Sequence, residues 1–144
     1  MADAYRIGSF ATDTLTGRVA LALTTIVFAT TNNGVGYCFK RAAADYAVTA
    51  GKNCRITGLM EFGTTPITTG TFFEIRYADN AALTTNPVTL CGIPAIAVAL
   101  TVPYIIPVLQ LTAPATKYVG IFNASGTNQA VAGAYSAQLF GYEE

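Results

Sequence analysis

The sequence predicts an all-β protein: a single-domain, antiparallel, jelly-roll-like β-sandwich of about eight to nine strands. An extended N-terminal arm occupies residues 1–17 and the sandwich residues 18–144. Three observations predict this. Short runs of β-branched and aromatic residues alternate with period two between Gly, Asn, Asp and Pro turn signals. No long stretch carries the 3.6-residue period of an amphipathic helix. A central stretch, Tyr46 to Asp79, also has a faded copy at the end of the chain.

Taken in order, Met1 to Thr16 lacks the basic region and apolar core of a secretory signal. Tyr5, Ile7 and Phe10 stand among small and polar residues, a pattern that suits either a frayed terminus or an arm that adds a strand to a partner. Three large apolar residues favour the arm. Val19 to Ala29 is apolar but too short to cross a bilayer of about 30 Å as a helix, and its β-branched content predicts a strand. Asn33-Gly34 is a turn, Val35 to Arg41 a strand, and Ala42 to Asp45 at most a helical turn.

The central stretch reads as three strands. Tyr46 to Thr49 is followed by a turn at Gly51. Alternation then puts Cys54, Ile56, Gly58 and Met60 on one face and Arg55, Thr57, Leu59 and Glu61 on the other. Thr71 to Tyr77 is the third. Slid forward until Thr49-Ala50 lies on Thr112-Ala113, the stretch puts Gly63-Thr64 on Gly126-Thr127, Ile56 on Val119, Leu59 on Phe122 and Tyr77 on Phe140. A duplicated β unit would leave these matches, as would any two Thr/Gly/Ala-rich β segments.

Val88 to Leu111 is the most apolar stretch. Pro94, Pro103 and Pro107 would each cost a helix about 3 kcal/mol, so Ile96 to Val102 and Tyr104 to Leu111 are read as strands rather than a membrane span. Thr116 to Asn123 and Gly133 to Tyr142 are the last strands. Duplicated units whose strands can change sheet favour a jelly roll over an immunoglobulin sandwich, whose core tryptophan is absent here.

Composition argues against most chemistry. Eight basic and eight acidic residues lie scattered, and Lys40-Arg41 is the one basic pair, too little to neutralise nucleic-acid phosphates. There is no histidine, the commonest general base and metal ligand. Cys38, Cys54 and Cys91 have no zinc-like spacing and read as buried free thiols, with a Cys38–Cys54 bridge as the lesser alternative. Glu61, Glu74 and Asp79 could form a carboxylate pair, but paired or solvated strand charges explain them more simply, Glu74 with Arg76 or Arg55. No nucleophile elbow or phosphate loop occurs. The reading is therefore a non-enzyme without metal or cofactor. Charged residues are 11% of the chain, under half the usual share of about 25%, which points to surface covered in an assembly. Aromatic rings raise a sugar-binding reading, although core packing explains most of them. Tyr5, Tyr104 and Tyr142 are the rings least easily placed in a core, and with Ile7 and Phe10 they are the candidate partner-binding residues.

The run Tyr46-Ala47-Val48-Thr49-Ala50-Gly51-Lys52, followed by Cys54-Arg55-Ile56-Thr57-Gly58, resembles a turn-and-strand pattern of small jelly-roll structural proteins of tailed bacteriophages. Phe73 to Asp79 is similar to the strand that follows in them. The sequence departs from the pattern at Thr49, where proline is frequent, and the likeness rests on turn chemistry over part of the chain. The resemblance implies a virion component made in the host cytoplasm, a head decoration or cement protein. Such a protein would bind the major capsid protein as a homo-oligomer, a trimer favoured, with no membrane or nucleic-acid partner. The alternative is a receptor- or carbohydrate-binding head domain of a tail or fibre protein. A cellular cytokine-like or cupin-like jelly roll is a third option, and the missing histidine argues against a metal-dependent cupin.

Overall fold

A computed structural model describes residues 18–24, 26–63, 73–93, 104–124, 126 and 129–144. Strands in chain order are β1 (Val19–Ala20), β2 (Ile26–Thr31), β3 (Gly36–Cys38), β4 (Lys40–Arg41), β5 (Ala44–Asp45) and β6 (Cys54–Gly63). They continue as β7 (Phe73–Ala78), β8 (Val88–Ile93), β9 (Tyr104–Ala113), β10 (Tyr118–Asn123) and β11 (Gln129–Glu143). Among the described residues there is no helix, and so none long and apolar enough to cross a membrane.

Every strand pairing is antiparallel. One sheet runs β1-β11-β6-β9, with β2 also paired to β11; the second runs β3-β10-β7-β8. The hairpin β4–β5 stands apart from both. Alternate residues of both sheets meet in one core. Ile56, Leu59 and Leu139 come from the first, and Phe73, Ile75, Val119 and Ile121 from the second. Leu21, Leu23, Phe39, Tyr46 and Val48 join that core from the connecting segments. Burying each large apolar side chain contributes about 1.5–3 kcal/mol, and β-branching suits these residues to the pleated faces.

The shift that aligns Thr49 with Thr112 carries β6 onto β10 and β7 onto β11. Replacing β2, β3, β6 and β7 by β8, β9, β10 and β11, and the reverse, converts one sheet's order into the other's. At residue level the match is partial. Ile56 and Val119 are both fully buried, but Phe122 is half-buried where Leu59 is in the core, and Phe140 is exposed.

Several local expectations are corrected. The run Val19 to Ala29 is divided between β1 and β2, with a single bridge at Thr24. The strand expected over Val35 to Arg41 breaks at Phe39, which turns into the core. Ala42-Ala43 is no helical turn but the two-residue loop of the β4–β5 hairpin, with φ of 48° and 71°. Tyr46 to Thr49 makes one bridge, Ala47 with Tyr118, rather than a strand. The strict alternation over residues 54–61 also fails. Gly141 faces Ile56 and Phe140 faces Gly58, so Thr57 is an extra residue, a bulge. Past it the faces exchange: Leu59 and Glu61 become fully buried and Met60 turns partly outward. Of the strands expected between Val88 and Leu111, Tyr104 to Leu111 lies within β9, and Ile96 to Val102 lies outside the described residues; β8, residues 88–93, is a paired strand that the sequence reading did not include.

Candidate functional site

Of the partner-binding candidates, Tyr5, Ile7 and Phe10 lie outside the described residues, as does the whole arm 1–17. Tyr104 opens β9 at the register position facing Glu61. Tyr142 is half-buried on β11, where the Arg18 guanidinium sits 4.6 Å above its ring centre. Arg18 also pairs with Glu144 at 3.5 Å, and Arg55 donates to the same carboxylate at 2.6 Å and to the Thr112 hydroxyl. Arg18, the first of the described residues, is thus fixed beside Tyr142.

Sequence reasoning missed the neighbouring ring. Phe140 is 41% exposed, one of the described large apolar side chains most open to solvent, together with Val35 and Val88. It faces Gly58 across the β11–β6 ladder, and its side chain lies over that glycine. The bulge at Thr57 puts Gly58 on the outer face, so an aromatic residue covers the gap that a glycine leaves in a sheet. Alternation along β11 was the available signal: with Ala137 and Leu139 inside, Gln138 and Phe140 must face outward.

Beneath this surface β11 ends in a buried carboxylate. Glu143 is 2% exposed. It accepts hydrogen bonds from the Tyr46 hydroxyl (2.9 Å), the Thr49 N–H (3.0 Å) and the Thr49 hydroxyl (2.8 Å), with the Arg41 guanidinium 3.6 Å away. Burial pushes its pKa up, but the Thr49 and Tyr46 hydrogen bonds and the Arg41 charge outweigh that and hold it below the usual carboxylate range. Reciprocal bonds between Asn53 and Glu144 close the end of the strand. This cluster ties β11 to β4 and to the turn after Tyr46; Glu143 and Tyr46 are buried in it, while Arg41 and Thr49 reach the surface.

The remaining carboxylates do not converge. Glu74 pairs with Arg76 on its own strand and accepts from Thr89, not from Arg55. Arg76 in turn lies 3.6 Å over the Phe122 ring. Asp79 holds Lys117 and Asn86, and Glu61, near the end of β6, is fully buried. All three cysteines are free thiols. Burial, then the Asp45 charge, pushes Cys38 up to about 11, and burial likewise pushes Cys54 up to about 11. Among the described residues no three Cys, Asp or Glu side chains gather as a metal site. Compared with protein-family models and with curated proteins, the chain matches no family and no curated protein.

Proposed function

We propose that this protein is a non-enzymatic virion structural protein, a jelly-roll decoration or cement protein that oligomerises on a bacteriophage head and stabilises it. The strand order supports the jelly-roll part. Pairing of β2-β11-β6-β9 and β3-β10-β7-β8, each order turning into the other under the half-chain shift, is what two interlocked Greek keys produce. The observation that carries the assembly part is the outer face of β11. An exposed Phe140, the half-buried Tyr142 and the Arg18 root of the arm occupy one surface of a protein with unusually few charges. Exposed rings next to the origin of an apolar arm suit a contact between subunits, where aromatic and arginine side chains are enriched. The partners are further copies of this chain, with a trimer favoured, and the major capsid protein.

Sedimentation velocity and electron microscopy of particles mixed with the protein test this. Deleting residues 1–10 is expected to leave the β-rich circular dichroism spectrum intact while weakening self-association or attachment. A Phe140→Ser variant should do the same without touching the arm. A monomer that decorates no particle, or a truncated protein that assembles and attaches like the intact one, overturns the reading.

A further inference from the structure

A cleft of about 560 Å³ runs along the edge of β3. We propose that it is a binding site for an uncharged saccharide, a function separate from assembly. Its volume falls within the roughly 300–1,000 Å³ typical of small-ligand sites. Tyr37 lines it from β3, Lys40 and Asp45 from the β4–β5 hairpin, Thr24 from the segment before β2, and Ala81 and Ala82 from the loop after β7.

The lining selects the ligand by its chemistry. Lys40 and Asp45 are the charged residues of the cleft, 3.4 Å apart and about half exposed, so the site offers donors beside acceptors with no net charge. Neighbouring hydroxyls of a sugar match that arrangement, one donating to the carboxylate and the next accepting from the ammonium. A phosphate would meet Asp45 and an organic cation would meet Lys40. Ala81 and Ala82 supply apolar surface for the C–H face of a pyranose on one side of the β3 edge, and Tyr37, packed partly against the core, bounds the other side. Edge backbone adds further polar groups. The ladder to β10 uses the Val35 carbonyl, the Phe39 N–H and the Tyr37–Ile121 pair, so alternation turns the N–H and C=O of Gly36 and Cys38 toward the edge. With three residues, β3 is too short to hold an added peptide strand firmly.

Both walls are fixed at a conformational cost. The hairpin that presents Lys40 and Asp45 turns through two left-handed alanines, and the opposite wall ends in left-handed Leu83, φ 60°. Leu83 is fully buried, clamped where Gly36 and Gly120 leave space. The Asn80 side chain accepts from the Thr84 and Thr85 N–H groups, each at 2.9 Å, and locks the same loop. Strained non-glycine residues of this kind cluster at ligand clamps. Walls set in advance lower the ordering cost of binding.

The test is a proton–nitrogen NMR titration of the whole protein with lactose, maltotriose, cellotriose and chitotriose, none of which needs a capsid. Saturable shifts confined to the Thr24, Gly36, Ala81 and Ala82 amides are expected with at least one of them. Asp45→Ala, a surface change that keeps the fold, should lower that affinity about tenfold, and Tyr37→Ala should abolish it. Glucose 6-phosphate should bind more weakly than the neutral sugars. No saturable shift with any of the four, shifts elsewhere, or tighter binding of the phosphorylated sugar overturns the proposal. So does a response only to a synthetic peptide of residues 1–17, which would make the cleft a strand-docking site.

Discussion

Replacing Glu143 by alanine removes the acceptor shared by Tyr46 and Thr49 and the partner of Arg41. Tyr46 is 2% exposed, so its hydroxyl would be stranded away from water, a loss of about 2 kcal/mol. Thr49 and Arg41 can rehydrate and should add about 1 kcal/mol between them. The expected loss is therefore about 3 kcal/mol, which lowers the melting temperature of a domain this size by about 10 °C. Glu143→Gln keeps the shape and one acceptor oxygen, and should lose about half as much. With no tryptophan in the chain, far-UV circular dichroism or calorimetry is the assay. Tyr46→Phe provides a coupling check: combined with Glu143→Ala it should cost less than the sum of the two single changes. Because the folded carboxyl titrates below its ordinary value of 4.5, the folded state binds fewer protons than the unfolded one. Its contribution is complete above about pH 4.5 and is lost as the pH falls through the folded value. The gap between wild type and Glu143→Gln should narrow over that window. A melting temperature for Glu143→Ala within about 1 °C of wild type, or strictly additive effects with Tyr46→Phe, would refute the reasoning.

Three further outcomes are expected. Recasting the Ala42-Ala43 loop as Asn-Gly should raise stability by about 1–2 kcal/mol, read from urea midpoints, since both positions are left-handed. Gly36→Ala and Gly120→Ala should each destabilise by more than about 3 kcal/mol, because a Cβ there would meet the Ala82 oxygen at 2.3 Å and the Tyr37 oxygen at 2.1 Å. Cys38 and Cys54, buried with pKa values pushed up to about 11, should resist a thiol reagent at neutral pH, and the half-buried Cys91 should react first; mass spectrometry of the labelled native protein reads the order.

Where the chain uses local signals, the sequence alone was enough to read it. Period-two alternation in residues 73–78 and 118–123 places Phe73, Ile75, Val119 and Ile121 in the core, because successive side chains of a strand must take opposite faces. Turn residues mark the ends of β2, β6 and β7 for the same local reason. The half-chain shift was legible too, since it compares residue kinds and not contacts. Tyr142 was picked out as hard to bury, and it is half-exposed beneath Arg18.

Only the tertiary structure decided what depends on partners distant in sequence. The bulge at Thr57 exists only relative to β11, yet it moves Leu59 and Glu61 inside and puts Gly58 under Phe140. A near-terminal glutamate reads as solvated until Tyr46, Thr49 and Arg41 converge on it across the fold. The same holds for Leu83, which no propensity would put in a left-handed conformation; contacts made over Gly36 and Gly120 hold it there. Composition and spacing determine which segments are strands and which faces are apolar, because those preferences act over a few bonds. Sheet order, register and the walls of the cleft follow from packing free energy shared among many residues at once, and no single segment carries that information.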